Sequence, residues 1–219
     1  MNPEPTRIIA IRHGETAWNV DTRIQGQLDI ALNDAGRWQV ARLAQALAEE
    51  PLHALYASDL RRAHDTAQAI ATVAGMPITS HQGLRERGFG EFEGKTFAEI
   101  EAVWPDKALQ WRRRVPEFAP EGGESLLLFR ERILATVSAL AAENQGRQIV
   151  IVSHGGTMDV LYRAATGQEI QAPRTWHLGN AAINRLLWSP ASGHGQFSLV
   201  GWADCIHLEE GAQHDESSA

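Results

Sequence analysis

The chain has 219 residues, 43% hydrophobic and 21% charged, with 20 Lys+Arg against 27 Asp+Glu and a formal charge of −7. That is the composition of an ordinary globular protein, long enough to bury a sizeable core in one domain with insertions. The acidic balance excludes a general nucleic-acid surface, and the single cysteine, Cys205, excludes an internal disulfide and a cysteine-based zinc site.

Chain order gives the elements. Arg7–Arg12 is short, apolar and β-branched and ends at His13-Gly14, the pattern of a buried strand emptying into a loop. A polar stretch, Glu15–Asp29, follows. Asn33 is placed to cap a helix with Trp38, Val40, Leu43 and Leu47 on one face, stopped by Pro51. Ala54–Ala57 reads as a strand, and Ser58 as the cap of a helix over Leu60–Ala74 ending at Gly75. Met76–Thr79 is a possible third strand. Leu84–Gly123 has several glycines and three prolines, with one helix over Phe97–Arg114, and reads as an insertion over a sheet end. A long helix over Glu124–Gln145 leads to the clearest strand, Gln148–Val152, which ends at Ser153-His154-Gly155-Gly156. Ile183–Leu187 and Phe197–Trp202 are late strands. The alternation predicts a three-layer α/β/α fold with a largely parallel sheet. Its ligands are expected at the carboxyl ends of the strands.

No apolar run approaches the roughly 18–20 residues of a membrane span, and Met1–Pro5 lacks a signal-peptide layout. With one cysteine, a reducing cytoplasm is the expected compartment.

Two of the best strands end in histidine, His13 and His154. Arg12, Arg61, Arg62 and Glu86 also lie near predicted strand ends. Three readings fit these residues. They are surface groups and satisfied core histidines; or His13, His154 and Glu86 hold a metal; or the arginines and histidines form an oxyanion site. Permanent guanidinium charges sit badly beside a dication. Arginine forks suit phosphate oxygens, and a neutral imidazole is a good nucleophile toward phosphorus.

Arg12-His13-Gly14-Glu15-Thr16 resembles the signature of the histidine phosphatase superfamily, in its phosphoglycerate mutase-like branch. The resemblance extends through Trp18-Asn19, Arg23–Gly26, Ser58–Ala63, Leu84–Glu86, Glu121–Ser125 and Val152–Gly156, in order, from about residue 7 to residue 190. It implies that His13 becomes a phosphohistidine, that Arg12, Arg62 and His154 bind phosphoryl oxygens, and that Glu86 protonates the leaving alkoxide. Asn19, Gln25, Gly26 and Gly155 match secondary pocket positions, and Arg61 is then a solvated helix residue. In-line transfer spreads negative charge over the equatorial oxygens, which fixed cationic donors stabilise. The alkoxide leaves poorly unless protonated, so an acid must face the nucleophile. No metal or other cofactor is implied.

The resemblance implies a phosphomonoester hydrolase of small phosphorylated metabolites, with phosphoglycerate mutase activity as the alternative and a non-catalytic phosphate-binding protein as the remote one. The 34 residues between Glu86 and Glu121 form a shorter cover than a mutase uses to exclude water from the intermediate. Phosphoglycerates, phosphoserine, a ribazole-type phosphate and sugar phosphates all remain open. Trp104, Trp111 and Phe118 form either an apolar wall for the leaving group or local packing. Arg112-Arg113-Arg114 either attracts a second anionic group or is a solvated helix face. The domain is expected over 1–208, with a lid insertion at about 87–123 and an acidic, mobile tail at 209–219. A homodimer is possible.

Overall fold

The computed structural model describes residues 4–209; all but the first residue of the expected tail lies outside them. The elements run β1 (Thr6–Arg12), α1 (Ala17–Val20), α2 (Asp34–Ala46), β2 (Ala54–Ala57), α3 (Arg61–Ala74), β3 (Ile78–Ser80), α4 (Phe97–Val103), α5 (Pro105–Arg112), α6 (Leu126–Ala142), β4 (Gln148–Ser153), α7 (Gly155–Thr166), β5 (Ile183–Ser189) and β6 (Gln196–Asp204). One six-stranded sheet has the order β3-β2-β4-β1-β5-β6. The first four strands are parallel, while β5 and β6 are antiparallel additions beside β1.

The strand period of two sorts β1 between two cores. Ile8 and Ala10 face α6 and α7, packing with Phe129, Ile133, Met158 and Leu161. Ile9 and Ile11 face α2 and α3, packing with Leu43, Ala63, Ala67 and Ile70. Both faces of the sheet are covered, so every residue of β4 is buried and reads as a continuous apolar run. This is the expected three-layer α/β/α arrangement.

Four local expectations are corrected. Trp38 is 42% exposed: the buried stripe of α2 is Gly36, Val40, Leu43 and Ala44, and a residue two positions before Val40 points away from it. The single helix over 97–114 is two, because Pro105 pushes the preceding Trp104 out of helical geometry (φ −134, ψ 68). Helix α2 ends at Ala46, well before Pro51. Leu60, not Ser58, occupies the N-cap position of α3, without a side-chain cap.

The segment between Glu86 and α6 builds a small core of its own. Phe92, Ile100 and Ala108 are fully buried there, against Phe89, Phe97, Trp104, Trp111 and Phe118. The local-packing reading of those aromatics is what the structure shows, although Trp111 also faces a cavity. Among the described residues, no helix is long and apolar enough to cross a membrane.

Candidate active site

The carboxyl ends of β1 and β4 lie side by side, with Arg12 paired to Ser153 in register. Parallel pairing therefore delivers His13 and His154 to the same edge of the sheet. Their rings meet edge to face with centroids 5.3 Å apart, and His13 and His154 are 3% and 0% exposed.

His13 is held in one tautomer. Its Nδ1 lies 2.7 Å from the Gly14 carbonyl oxygen, an acceptor only, so we assign the proton to Nδ1. Nε2 is then an unprotonated lone pair, and Arg62 Nε donates to it at 3.2 Å. Burial, followed by the Arg62 and Arg12 charges, holds the His13 pKa well below the ordinary histidine value. The ring is neutral at neutral pH.

His154 is fixed by Ser58. The Ser58 hydroxyl accepts from the Leu60 N–H at 3.3 Å and lies 2.8 Å from His154 Nε2. Giving its own proton to Nε2 satisfies both groups and leaves the ring proton on Nδ1. Burial and then Arg62 hold His154 neutral as well. Nδ1 of His154 and Nε of Arg12 are buried donors without a partner among the described residues, and buried donors ordinarily have one.

Arg62 enters from the first turn of α3, buried to 1% exposure. Its two terminal nitrogens donate at 2.8 Å to the carbonyls of Gly26 and Leu28. Gly26 adopts φ +51, which a glycine takes without strain, and so turns its carbonyl to this contact. Burial lowers the Arg62 pKa to about 10. The adjacent Arg61 side chain is 63% exposed and pairs with Asp65 at 3.5 Å. Arg12 also loses basicity through burial, and it donates to the Leu178 carbonyl.

Glu86 is presented by a braced loop. Arg132 donates to the carbonyls of Gly83, Arg85 and Glu86 and forks onto Glu124 at 2.8 and 2.6 Å. Arg85 forks onto Asp59 at 2.7 and 2.6 Å. The Glu86 carboxylate accepts from the Gly156 N–H at 3.0 Å, at the N-terminus of α7. A Cβ at Gly156 would collide with that carboxylate, so the close approach requires glycine there.

A cavity of about 170 Å³ is lined by Arg12, His13, Asn19, Gln25, Gly26, Arg62, Glu86 and Gly155, with Arg23, Ile24 and Phe89. Eight of the nine residues singled out in the sequence thus share one wall, and the ring of His154, the ninth, meets His13 edge to face. The Asn19 side-chain oxygen serves a capping box, accepting from the Thr16 N–H at 3.0 Å. Gln25 Oε1 is buried without a partner among the described residues.

Three further side chains, in segments that resemble the family, contribute without a site role assigned from the sequence. Ser58 was read as a helix cap, although its block was among those matched. Asn180 donates to the His13 carbonyl at 2.8 Å. Thr66 accepts from the Gly14 N–H at 3.0 Å. Small polar side chains carry no periodic signal, and only their proximity reveals the role. Among the described residues, no three His, Cys, Asp or Glu side chains are grouped to hold a metal ion.

Residues 8–204 match the model of the histidine phosphatase superfamily, branch 1. The chain is 36% identical to phosphoglycerate mutase-like protein 4 of Arabidopsis thaliana, over 93% of this chain and 87% of that one. It is 35% identical to a glucosyl-3-phosphoglycerate phosphatase of Mycolicibacterium vanbaalenii, over 90% and 91%. The native structure of a mycobacterial glucosyl-3-phosphoglycerate phosphatase superposes with a TM-score of 0.80 at 32% identity, covering 92% of this chain and all of that one. The chain belongs to the histidine phosphatase superfamily, branch 1.

Proposed function

We propose that this chain hydrolyses small phosphomonoesters through a phosphohistidine on His13, without a metal. The observation that carries the reading is the setting of buried His13, with Nδ1 on the Gly14 carbonyl oxygen and Nε2 facing Arg62 Nε. The enzyme is a phosphomonoesterase of the histidine-phosphatase type.

The steps follow from the geometry. An arriving phosphoryl oxygen takes the Arg62 N–H, freeing the Nε2 lone pair. The free donors on Arg12 and His154 take the remaining oxygens and stabilise the equatorial charge as it develops. The Nε2 lone pair forms the N–P bond while the ester P–O bond breaks, and Glu86 gives its proton to the departing oxygen. In the second step water attacks phosphorus and its proton passes to Glu86. The N–P electrons return to Nε2, and inorganic phosphate leaves. Gln25 and Asn19 complete the pocket wall. The segment 87–123 covers the leaving-group side, attached to a single domain over 1–208. The lone cysteine supports a reducing compartment such as the cytoplasm.

The test is a phosphomonoester panel in EDTA, including 3-phosphoglycerate with and without 2,3-bisphosphoglycerate. Release of free phosphate supports the hydrolase. Conversion to 2-phosphoglycerate without release would replace it with a mutase, and activity lost to EDTA and restored by a divalent ion would revive a metal.

A further inference from the structure

A second cavity, of about 220 Å³, shares Glu86, Phe89 and Gly155 with the cavity that holds His13. Glu86, the proposed proton donor, thus stands at the junction, and the leaving alcohol has this space to occupy. One part of its wall is apolar, with Phe89, Trp111 and Phe129. Its charged residues are unequal in sign: Arg87, Arg114, Arg130, Arg163 and Arg174 stand against only Glu86 and Asp159. In a chain of net charge −7, this cavity carries a formal excess of three positive charges.

Three of these arginines are committed to the fold. Arg87 donates to the carbonyls of Glu124 and Phe118 at 2.9 and 3.0 Å. Arg114 and Arg163 share Asp159 Oδ2 at 2.8 and 3.0 Å. Arg114 also adopts φ +52, a left-handed conformation that crowds a residue with a Cβ. Its bonds to Asp159 and to the Ile170 carbonyl at 2.9 Å hold it there. Arg130 and Arg174 differ. Both are exposed, and among the described residues neither makes a side-chain hydrogen bond or an ion pair. Arg174 lines this cavity, and its charge is felt by both Arg12 and Arg114.

We propose, resting on the hydrolase reading above, that the second cavity selects a leaving alcohol bearing its own anionic group and no ammonium group. Arg174 and Arg130 meet that anion, a carboxylate or a second phosphate. An ammonium would enter a cavity with a formal excess of three positive charges, where Asp159 Oδ2 already accepts from Arg114 and Arg163 and its Oδ1 alone lacks a partner among the described residues. A neutral hydroxyl carries no such penalty.

Matched substrates test this. 3-Phosphoglycerate and glycerol 3-phosphate differ by a carboxylate against a hydroxymethyl group. 3-Phosphoglycerate and O-phosphoserine differ by a hydroxyl against an ammonium group. Propane-1,3-diol bisphosphate supplies phosphate as the second anion and separates the two sources. We expect kcat/KM for 3-phosphoglycerate or the bisphosphate to exceed that of glycerol 3-phosphate by about tenfold, the scale of one charge-assisted contact. Phosphoserine should fall below 3-phosphoglycerate by a similar factor. Arg174→Ala should bring the first ratio toward one and Arg174→Glu should invert it, with Arg130→Ala as the second variant. The readout is a ratio within one preparation, so partial misfolding cancels. Wild-type turnover of p-nitrophenyl phosphate with all matched ratios near one overturns the subsite alone. No turnover of any phosphomonoester overturns the hydrolase reading and the subsite with it.

Discussion

Replacing Gly156 by alanine separates the acid from the rest of the machinery. The new methyl would sit far inside contact distance of Glu86 Oε1 and 3.0 Å from the Phe129 ring. Phe129 belongs to the packed core under α6, so the carboxylate is the group that yields. It must retreat by about 1 Å to restore an ordinary carbon–oxygen separation of about 3.3 Å. That movement also disturbs its bond with the Gly156 N–H, now 3.0 Å. Displacement of a reacting group by about 1 Å can cost about 10²-fold in rate. The fold should suffer little. Alanine in place of glycine favours helix α7 by about 1 kcal/mol, against overpacking of about 1–3 kcal/mol, for a net loss of at most about 2 kcal/mol. The assay compares two leaving groups. An alkyl phosphate needs the proton from Glu86, whereas the nitrophenolate of p-nitrophenyl phosphate departs without one. We expect kcat to fall about 100-fold for the alkyl ester and by less than about tenfold for the aryl ester. Equal losses on the two esters, or no loss on either, would refute the placement of Glu86 as the acid.

Three further outcomes are expected. His13→Ala should lower phosphomonoester turnover by at least about 10³-fold with an unchanged circular dichroism spectrum; retained activity would remove His13 as nucleophile. Ser58→Ala should cost about 1–3 kcal/mol of stability. It should also release the His154 tautomer, read as a shift in the ¹⁵N resonances of that ring away from a pure Nδ1–H form, with kcat reduced about tenfold or more. Unfolding should depend on pH in a defined window, because the folded-state pKa values of His13 and His154 are both depressed. Above pH 6.5 both states hold the rings neutral, and stability is full. Below it the unfolded chain binds two protons that the folded chain refuses, so stability falls by about 2–3 kcal/mol by pH 5.5. Urea midpoints at pH 8 and 5.5 measure this, and a flat profile would contradict the burial of neutral imidazoles.

Much of the sheet and most of the cavity wall were legible in the order of residues. β1 and β4 announce themselves as short apolar runs, since strands buried on both faces leave no room for alternation. The cap at Asn33 was also legible: its side chain accepts from the Gly36 N–H at 2.7 Å, and such capping is a local event. The orientation of a helix against its neighbours is a different matter. Trp38 is large and apolar, yet a stripe only about 100° wide on α2 excludes it. Ser58 could cap a helix or serve a histidine 96 residues away, and the unmet demand of a fully buried ring decides for the histidine.

The Arg112-Arg113-Arg114 run draws the division most sharply. By itself the sequence determined its composition, the strands that end in His13 and His154, and the match to a family whose chemistry those residues carry. These follow from local spacing, which is a property of the chain. Only the tertiary structure sends Arg112 to Glu101 in solvent while bending Arg114 back onto Asp159. It also gathers Arg130 from α6 and Arg174 from the loop before β5 around one cavity. Those groups are far apart in sequence and carry no shared period. Their convergence depends on how α6, α7 and the inserted segment pack over the carboxyl end of the sheet.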